Sequence, residues 1–175
     1  MSAVKCWAVI TGCSSGIGAA LAIRLSQMNY HILAIGRRKQ NLTQTKHSSL
    51  NPDNIHICKA DIGLPADRAQ ILSYIPNDGI NRIKYLIHNA AIGDPDLLQD
   101  IDLSHWEYSL SVNLTAPLFL TKQFIDRLNQ SNGRILHLGT GVAFKPQIVT
   151  STYGITKRAF HRLYQQIKVE IEQND

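Results

Sequence analysis

The stretch "KCWAVITGCSSGIGAALAIRLSQM" (5–28) falls into three blocks of different chemistry. Residues 5–11 are apolar and partly β-branched, the composition of a buried strand. From 15 to 28, apolar side chains recur at Ile17, Ala20, Leu21 and Leu25, the period of a helix with one covered face. Between the blocks, Gly12, Gly16 and Gly18 are separated by three residues and then by one. Glycine admits positive φ and lets an anion approach the backbone with no Cβ in the way. The following helix aims free N–H groups and the positive end of its dipole at the same spot. Gly12, Ser14, Ser15, Gly16, Ile17 and Gly18 therefore form a candidate diphosphate cradle. The alternative is a merely flexible Gly/Ser turn, but the strand–turn–helix context is the one a dinucleotide fingerprint requires.

Outward from this unit the pattern repeats. Further strands are expected at 31–36, 54–60, 83–89 and 133–139, separated by helical periods over about 38–47, 65–75, 104–130 and 151–173. Strand alternating with helix indicates an α/β, Rossmann-type doubly wound parallel sheet with helices on both faces. Right-handed crossovers make 3-2-1-4-5 the leading strand order. At 175 residues the chain fits one domain, spanning 1–175. In such a sheet ligands bind at the carboxyl ends of the strands, so only residues just beyond a strand, or opening the next helix, can reach the site.

Composition narrows the classes. Hydrophobic residues make up 44% and charged residues 18%, a globular balance. No apolar run approaches the roughly 20 residues of a membrane span. The N-terminus enters an apolar strand at once, without the pattern of a secretory leader. Cys6, Cys13 and Cys58 are odd in number and lack metal spacing, so reduced thiols in a cytoplasmic protein are expected, with no metal site. Lys and Arg exceed Asp and Glu by 18 to 13 without long basic runs, which reads as a mildly basic surface rather than a nucleic-acid partner.

The turn "TGCSSGIG" (11–18) resembles the TGxxxGIG motif of the short-chain dehydrogenase/reductase family, matched in full, and the resemblance continues along almost the whole chain. An acidic residue after the second strand suits the ribose of NAD, whereas an arginine suits the 2′-phosphate of NADP. Here that place holds Gly36, Arg37 and Arg38, with Arg37 nearer the strand end, so NADP(H) is expected rather than NAD. The alternative is a solvated basic helix start. Asp61 and Ile62 resemble the family's Asp-Val pair beside the adenine. Asn89, Ala90 and Ala91 resemble its NAG segment, with Ala91 in place of glycine; Asn89 can equally serve to stabilise the sheet.

Two Tyr-x-x-x-Lys pairs occur in the last helix, Tyr153/Lys157 and Tyr164/Lys168. Tyr164 lies nearly three turns further on, about 16 Å along the axis, so both pairs cannot serve one nicotinamide. Position selects Tyr153 and Lys157, which open the helix at the ligand edge. A nearby ammonium and a cationic ring favour phenolate, the form needed for acid–base work, and Lys157 can also hold ribose hydroxyls. The family's serine thirteen residues before the tyrosine is Thr140 here, which keeps a hydroxyl for the substrate oxygen or else only caps a turn. Asn113, in "SVNLTAP", matches the family's catalytic asparagine; Pro117 has no N–H to return to its carbonyl, which is then free to hold a water. The alternative there is a plain proline kink. His88 and His137 are assigned to packing.

The resemblance implies an NADP(H)-dependent oxidoreductase interconverting a small-molecule carbonyl and alcohol. The rival is a catalytically silent nucleotide-binding module with a regulatory or assembly role. Family members usually continue through a sixth and seventh strand; this sequence stops at "EIEQND", as an incomplete form or a protein that works without that part. The resemblance further implies a homodimer or homotetramer built on the helices around 104–130 and 151–173, in keeping with an uncovered sheet edge.

Overall fold

Strand β1 (Lys5–Thr11) buries every residue from Trp7 onward. Such a run, rather than an alternation of apolar and polar residues, is what a strand covered on both faces demands. Trp7 and Val9 join one apolar cluster, while Ala8 and Ile10 join the other. In the computed structural model, which describes residues 4–78 and 81–172, β1 lies at the centre of a five-stranded parallel sheet. Its companions are β2 (His31–Gly36), β3 (Ile55–Lys59), β4 (Asn81–His88) and β5 (Arg134–His137). The order is β3-β2-β1-β4-β5, as expected.

Helices α1 (Gly16–Gln27) and α2 (Lys39–His47) cover one face through Ala22 and Leu42. The other face carries α3 (Pro65–Ile71), α4 (Leu103–Leu110) and α5 (Ala116–Asn129), whose Leu120, Phe124 and Leu128 pack against Leu33, Ile35 and Leu86. The last helix, α6 (Ser151–Glu172), returns beside β5; residue 173 of its expected span lies outside the described residues. Strand β5 ends the sheet, with Arg134 and Leu136 exposed. No helix among the described residues is long and apolar enough to cross a membrane.

One expected element changes character. The helix anticipated over 104–130 is interrupted at Ser111–Thr115 by a π turn, in which the Ala116 N–H bonds to Ser111 O, five residues back. Pro117, in the first turn of α5, has no N–H to return and thus follows directly on a widened turn. Ser111 Oγ donates to Gly63 O at 2.6 Å, and buried Arg68 donates from Nη1 to Ile62 O (2.8 Å) and Ser111 Oγ (3.1 Å). The π turn is thereby stitched to the loop after β3.

His88 and His137 sit opposite each other in the β4–β5 ladder, their rings 5.0 Å apart. Phe160 and Tyr164 of α6 lie 4.7 and 5.1 Å from the His137 ring, so Tyr164 serves packing. Burial holds both imidazoles neutral, lowering His137 to about 4 and His88 well below its usual range. The unfolded chain takes up protons below its ordinary 6.5 while the folded one does not, so stability is lost as pH falls from about 6.5 toward 4, by at most about 1.4 kcal/mol per pH unit and group. His137→Asn is expected to flatten this acid limb in urea midpoints measured from pH 7 to 4.5; an unchanged slope would exclude His137 from it.

Candidate active site

The site begins where β1 stops. Gly12 and Gly16 adopt φ of +77° and +58°, the left-handed region. A Cβ on Gly12 would lie 2.6 Å from Asn89 Nδ2 and 3.0 Å from Ala90 Cα, and one on Gly18 would collide with the Gly12 carbonyl. Asn89 explains this crowding: its Nδ2 donates to Thr11 O (2.9 Å) and Gly12 O (3.2 Å). Thr11 Oγ1 in turn accepts from the N–H groups of Asn89 and Ala90, both at 3.1 Å. Asn89 therefore ties the ends of β1 and β4 together as well as facing the site. Gly16 differs, since a Cβ there meets nothing within 4 Å.

Beyond this turn lies a cavity of about 290 Å³ at the carboxyl edge of the sheet. Gly12, Ser14, Ser15 and Ile17 form one wall, Arg37 and Arg38 another, Asp61 and Ile62 a third, and Asn89, Ala90 and Ala91 the side nearest β4. Gly16 and Gly18 shape the turn without lining the cavity. A diphosphate fits what is present: Ser14 Oγ is buried without a partner, the N-terminus of α1 has no side-chain cap, and Gly16 faces open space. After β2, Arg38 Nη2 donates to Ser15 Oγ at 3.2 Å. Arg37 Nη1 donates to Tyr108 OH at 3.1 Å, and that hydroxyl donates to Asp61 Oδ2 at 2.6 Å. Tyr108, with Val112 and Ile92, lines the cavity although nothing in the local sequence singles it out.

The second half of the site belongs to α6. Tyr153 is half-buried, its ring laid on Gly93, where a Cβ would come within 3.1 Å of Cδ2. Lys157, four residues on, is 4% exposed; its Nζ donates to Leu138 O at 2.7 Å and sits 4.3 Å from the centroid of the Phe160 ring. Burial brings its ammonium down to about 8. Asn113, in the π turn, accepts at Oδ1 from Ile92 N (2.8 Å) and donates from Nδ2 to Ile92 O (2.9 Å) and Thr156 Oγ1 (2.9 Å). It clamps the segment after β4 to the helix bearing Tyr153 and Lys157. Ile92 lines the cavity and Gly93 supports Tyr153, so the two halves meet at consecutive residues. Thr140 stands between β5 and the turn at Gly141–Ala143; its carbonyl accepts from Ala143 N at 3.3 Å, while its side chain makes no capping bond. Tyr153, Lys157, Asn113 and Thr140 do not line the 290 Å³ cavity itself. Among the described residues no group of three or more His, Cys, Asp or Glu could hold a metal ion.

The sequence matches the short chain dehydrogenase family over residues 6–175, and the chain belongs to that family. It is 28% identical over 165 residues to an uncharacterised oxidoreductase of Staphylococcus epidermidis, covering 94% of this chain and 70% of that protein. A short-chain dehydrogenase from Sphingobium yanoikuyae, solved in complex with NADPH, matches with a TM-score of 0.85 and 28% identity, over 97% of this chain and 67% of that one. A metagenomic short-chain oxidoreductase in complex with NADP shares the fold, with a TM-score of 0.86 and 22% identity over 99% and 79%.

Proposed function

We propose that the chain is an NADP(H)-dependent oxidoreductase that interconverts a carbonyl and an alcohol. The observation that carries this reading is the junction at residues 92–93: one residue walls the nucleotide cavity and the next supports the Tyr153 ring. The turn at 12–18 would hold the diphosphate, Arg37 and Arg38 the 2′-phosphate, and Asp61 and Ile62 the adenine. Bound there, the nicotinamide supplies or accepts hydride at the substrate carbon. The residues of the chain manage the proton. Tyr153 moves it at the substrate oxygen, which the Thr140 hydroxyl orients. Lys157, buried one helical turn from Tyr153 and tied to Leu138 O, would assist Tyr153 and hold the ribose hydroxyls. The Asn113 carbonyl holds a water that passes protons outward, while its side chain fixes the segment from which this happens.

A panel of ketones, aldehydes and diketones, followed by NADPH absorbance, tests this reading. Turnover of any member supports it. Tight NADPH binding with no turnover supports instead a silent nucleotide-binding module, which the replacement of the family's serine by Thr140 favours. For the cofactor, Arg37→Ala is expected to weaken NADPH binding about 10- to 100-fold, the scale of charge-assisted hydrogen bonds, while NADH changes little. Equal binding of NADH and NADPH by the wild type would remove Arg37 from this role. The working form is a cytoplasmic homodimer or homotetramer. An apolar groove of about 660 Å³ along α6, lined by Val142, Pro146 and Ile155, supports assembly through that helix. Sedimentation as a monomer at micromolar concentration would contradict it.

A further inference from the structure

Arg37 and Asp61 follow neighbouring strands and carry opposite charges, yet they do not pair directly: the Tyr108 hydroxyl stands between them, accepting from one and donating to the other. The phenol is held there from several sides. Gly63 packs against the Tyr108 ring so closely that a Cβ would strike Cε2, and the Gly63 N–H donates to Asp61 Oδ1 at 2.9 Å. The bond from Ser111 to Gly63 O fixes the same loop against the π turn three residues beyond Tyr108. Burial and the hydrogen bond to the Asp61 carboxylate both push the phenol up, keeping it a neutral donor.

A neutral spacer between two charges has a consequence. Without it, the exposed guanidinium of Arg37 would be free to swing onto Asp61 as a paired fork, satisfying both groups and withdrawing both from the cavity. With it, the carboxylate is fixed by one hydroxyl and one backbone N–H, and the guanidinium commits a single N–H, leaving its other donors for an anion. We infer that Tyr108 is a positioning residue for cofactor choice: its hydroxyl holds Arg37 apart from Asp61, so that the cavity favours adenosine nucleotides bearing a 2′-phosphate over those without one. This rests on the NADP(H) reading above.

The test uses the full chain and two probes that lack nicotinamide, 2′,5′-ADP and ADP, in calorimetric titrations of wild type, Tyr108→Phe, and Tyr108→Phe combined with Asp61→Asn. The wild type should prefer 2′,5′-ADP. Tyr108→Phe should lose about tenfold in affinity for 2′,5′-ADP, the scale of one charge-assisted bond, with ADP within about twofold. The retained ADP affinity doubles as proof of folding. Adding Asp61→Asn removes the charge that captures Arg37; an adenine contact is lost for both probes alike, so it is the ratio of 2′,5′-ADP to ADP affinity lost in the single variant that should return. Equal loss for both probes, or a double variant whose 2′,5′-ADP to ADP ratio is no higher than that of the single one, would reduce Tyr108 to a structural wall and overturn the inference. A wild type that binds ADP as tightly as 2′,5′-ADP, or neither, would overturn the NADP(H) reading itself.

Discussion

Tyr153→Phe is expected to reduce the rate of carbonyl reduction by about 10²- to 10⁴-fold, the range typical for removal of a positioned acid–base group. The substitution deletes one oxygen and keeps the ring. Because that ring is what rests on Gly93, the packing of the first turn of α6 survives, and with it the Asn113 bond to Thr156. NADPH affinity should therefore stay within about threefold, since the cavity walls do not include Tyr153. Turnover from NADPH absorbance, paired with a fluorescence titration of the cofactor, separates the two quantities. A variant retaining more than a tenth of wild-type turnover would show that the proton moves through another group.

Gly18→Ala should produce a larger loss of stability than Gly16→Ala in the same turn. The added methyl would meet the Gly12 carbonyl oxygen and Asn89 Nδ2, with the Gly12 carbonyl carbon at 2.8 Å, and backbone cannot rotate aside as a side chain does. Helix α1 must back away from the turn or the turn must open. The expected cost is about 3 kcal/mol, the upper end for overpacking, equivalent to a melting temperature lower by about 6–12 °C in a chain of this size. NADPH binding should be lost with it. Gly16→Ala provides the contrast. Its φ of +58° strains any side chain, by about 1–2 kcal/mol, yet no neighbour stands in the way. Thermal melts of both variants distinguish crowding from backbone strain, and similar losses would contradict the distances around Gly18.

The glycine turn was legible because its message is local: three glycines between an apolar run and a helical period describe a backbone that must bend and be approached. The strand order followed from the same repetition. Tyr153 could be separated from Tyr164 by helical rise together with its place at the ligand edge, and the structure accounts for the second tyrosine as packing on His137. Tyr108 was invisible because its meaning comes from Arg37, 71 residues earlier, and Asp61, 47 residues earlier. The same holds for the Asn113 side chain. Pro117 pointed to its carbonyl, whereas its amide bonds to Ile92 and Thr156 depend on three elements meeting. Gly93 carried no signal either, since its role is to leave room for a ring arriving from residue 153.

The widened turn at Ser111–Thr115 also fixes an angular phase. Each residue of a helix advances the chain by about 100°, so deleting one here to restore regular winding would rotate everything on its N-terminal side by about that amount relative to α5. Leu120 and Phe124 would keep their place in the core, while Tyr108 would swing off the nucleotide wall. Five residues of loosened winding are thus a gear between a packed half of the helix and a ligand-facing half, and a shortened loop elsewhere in the chain could not substitute for it.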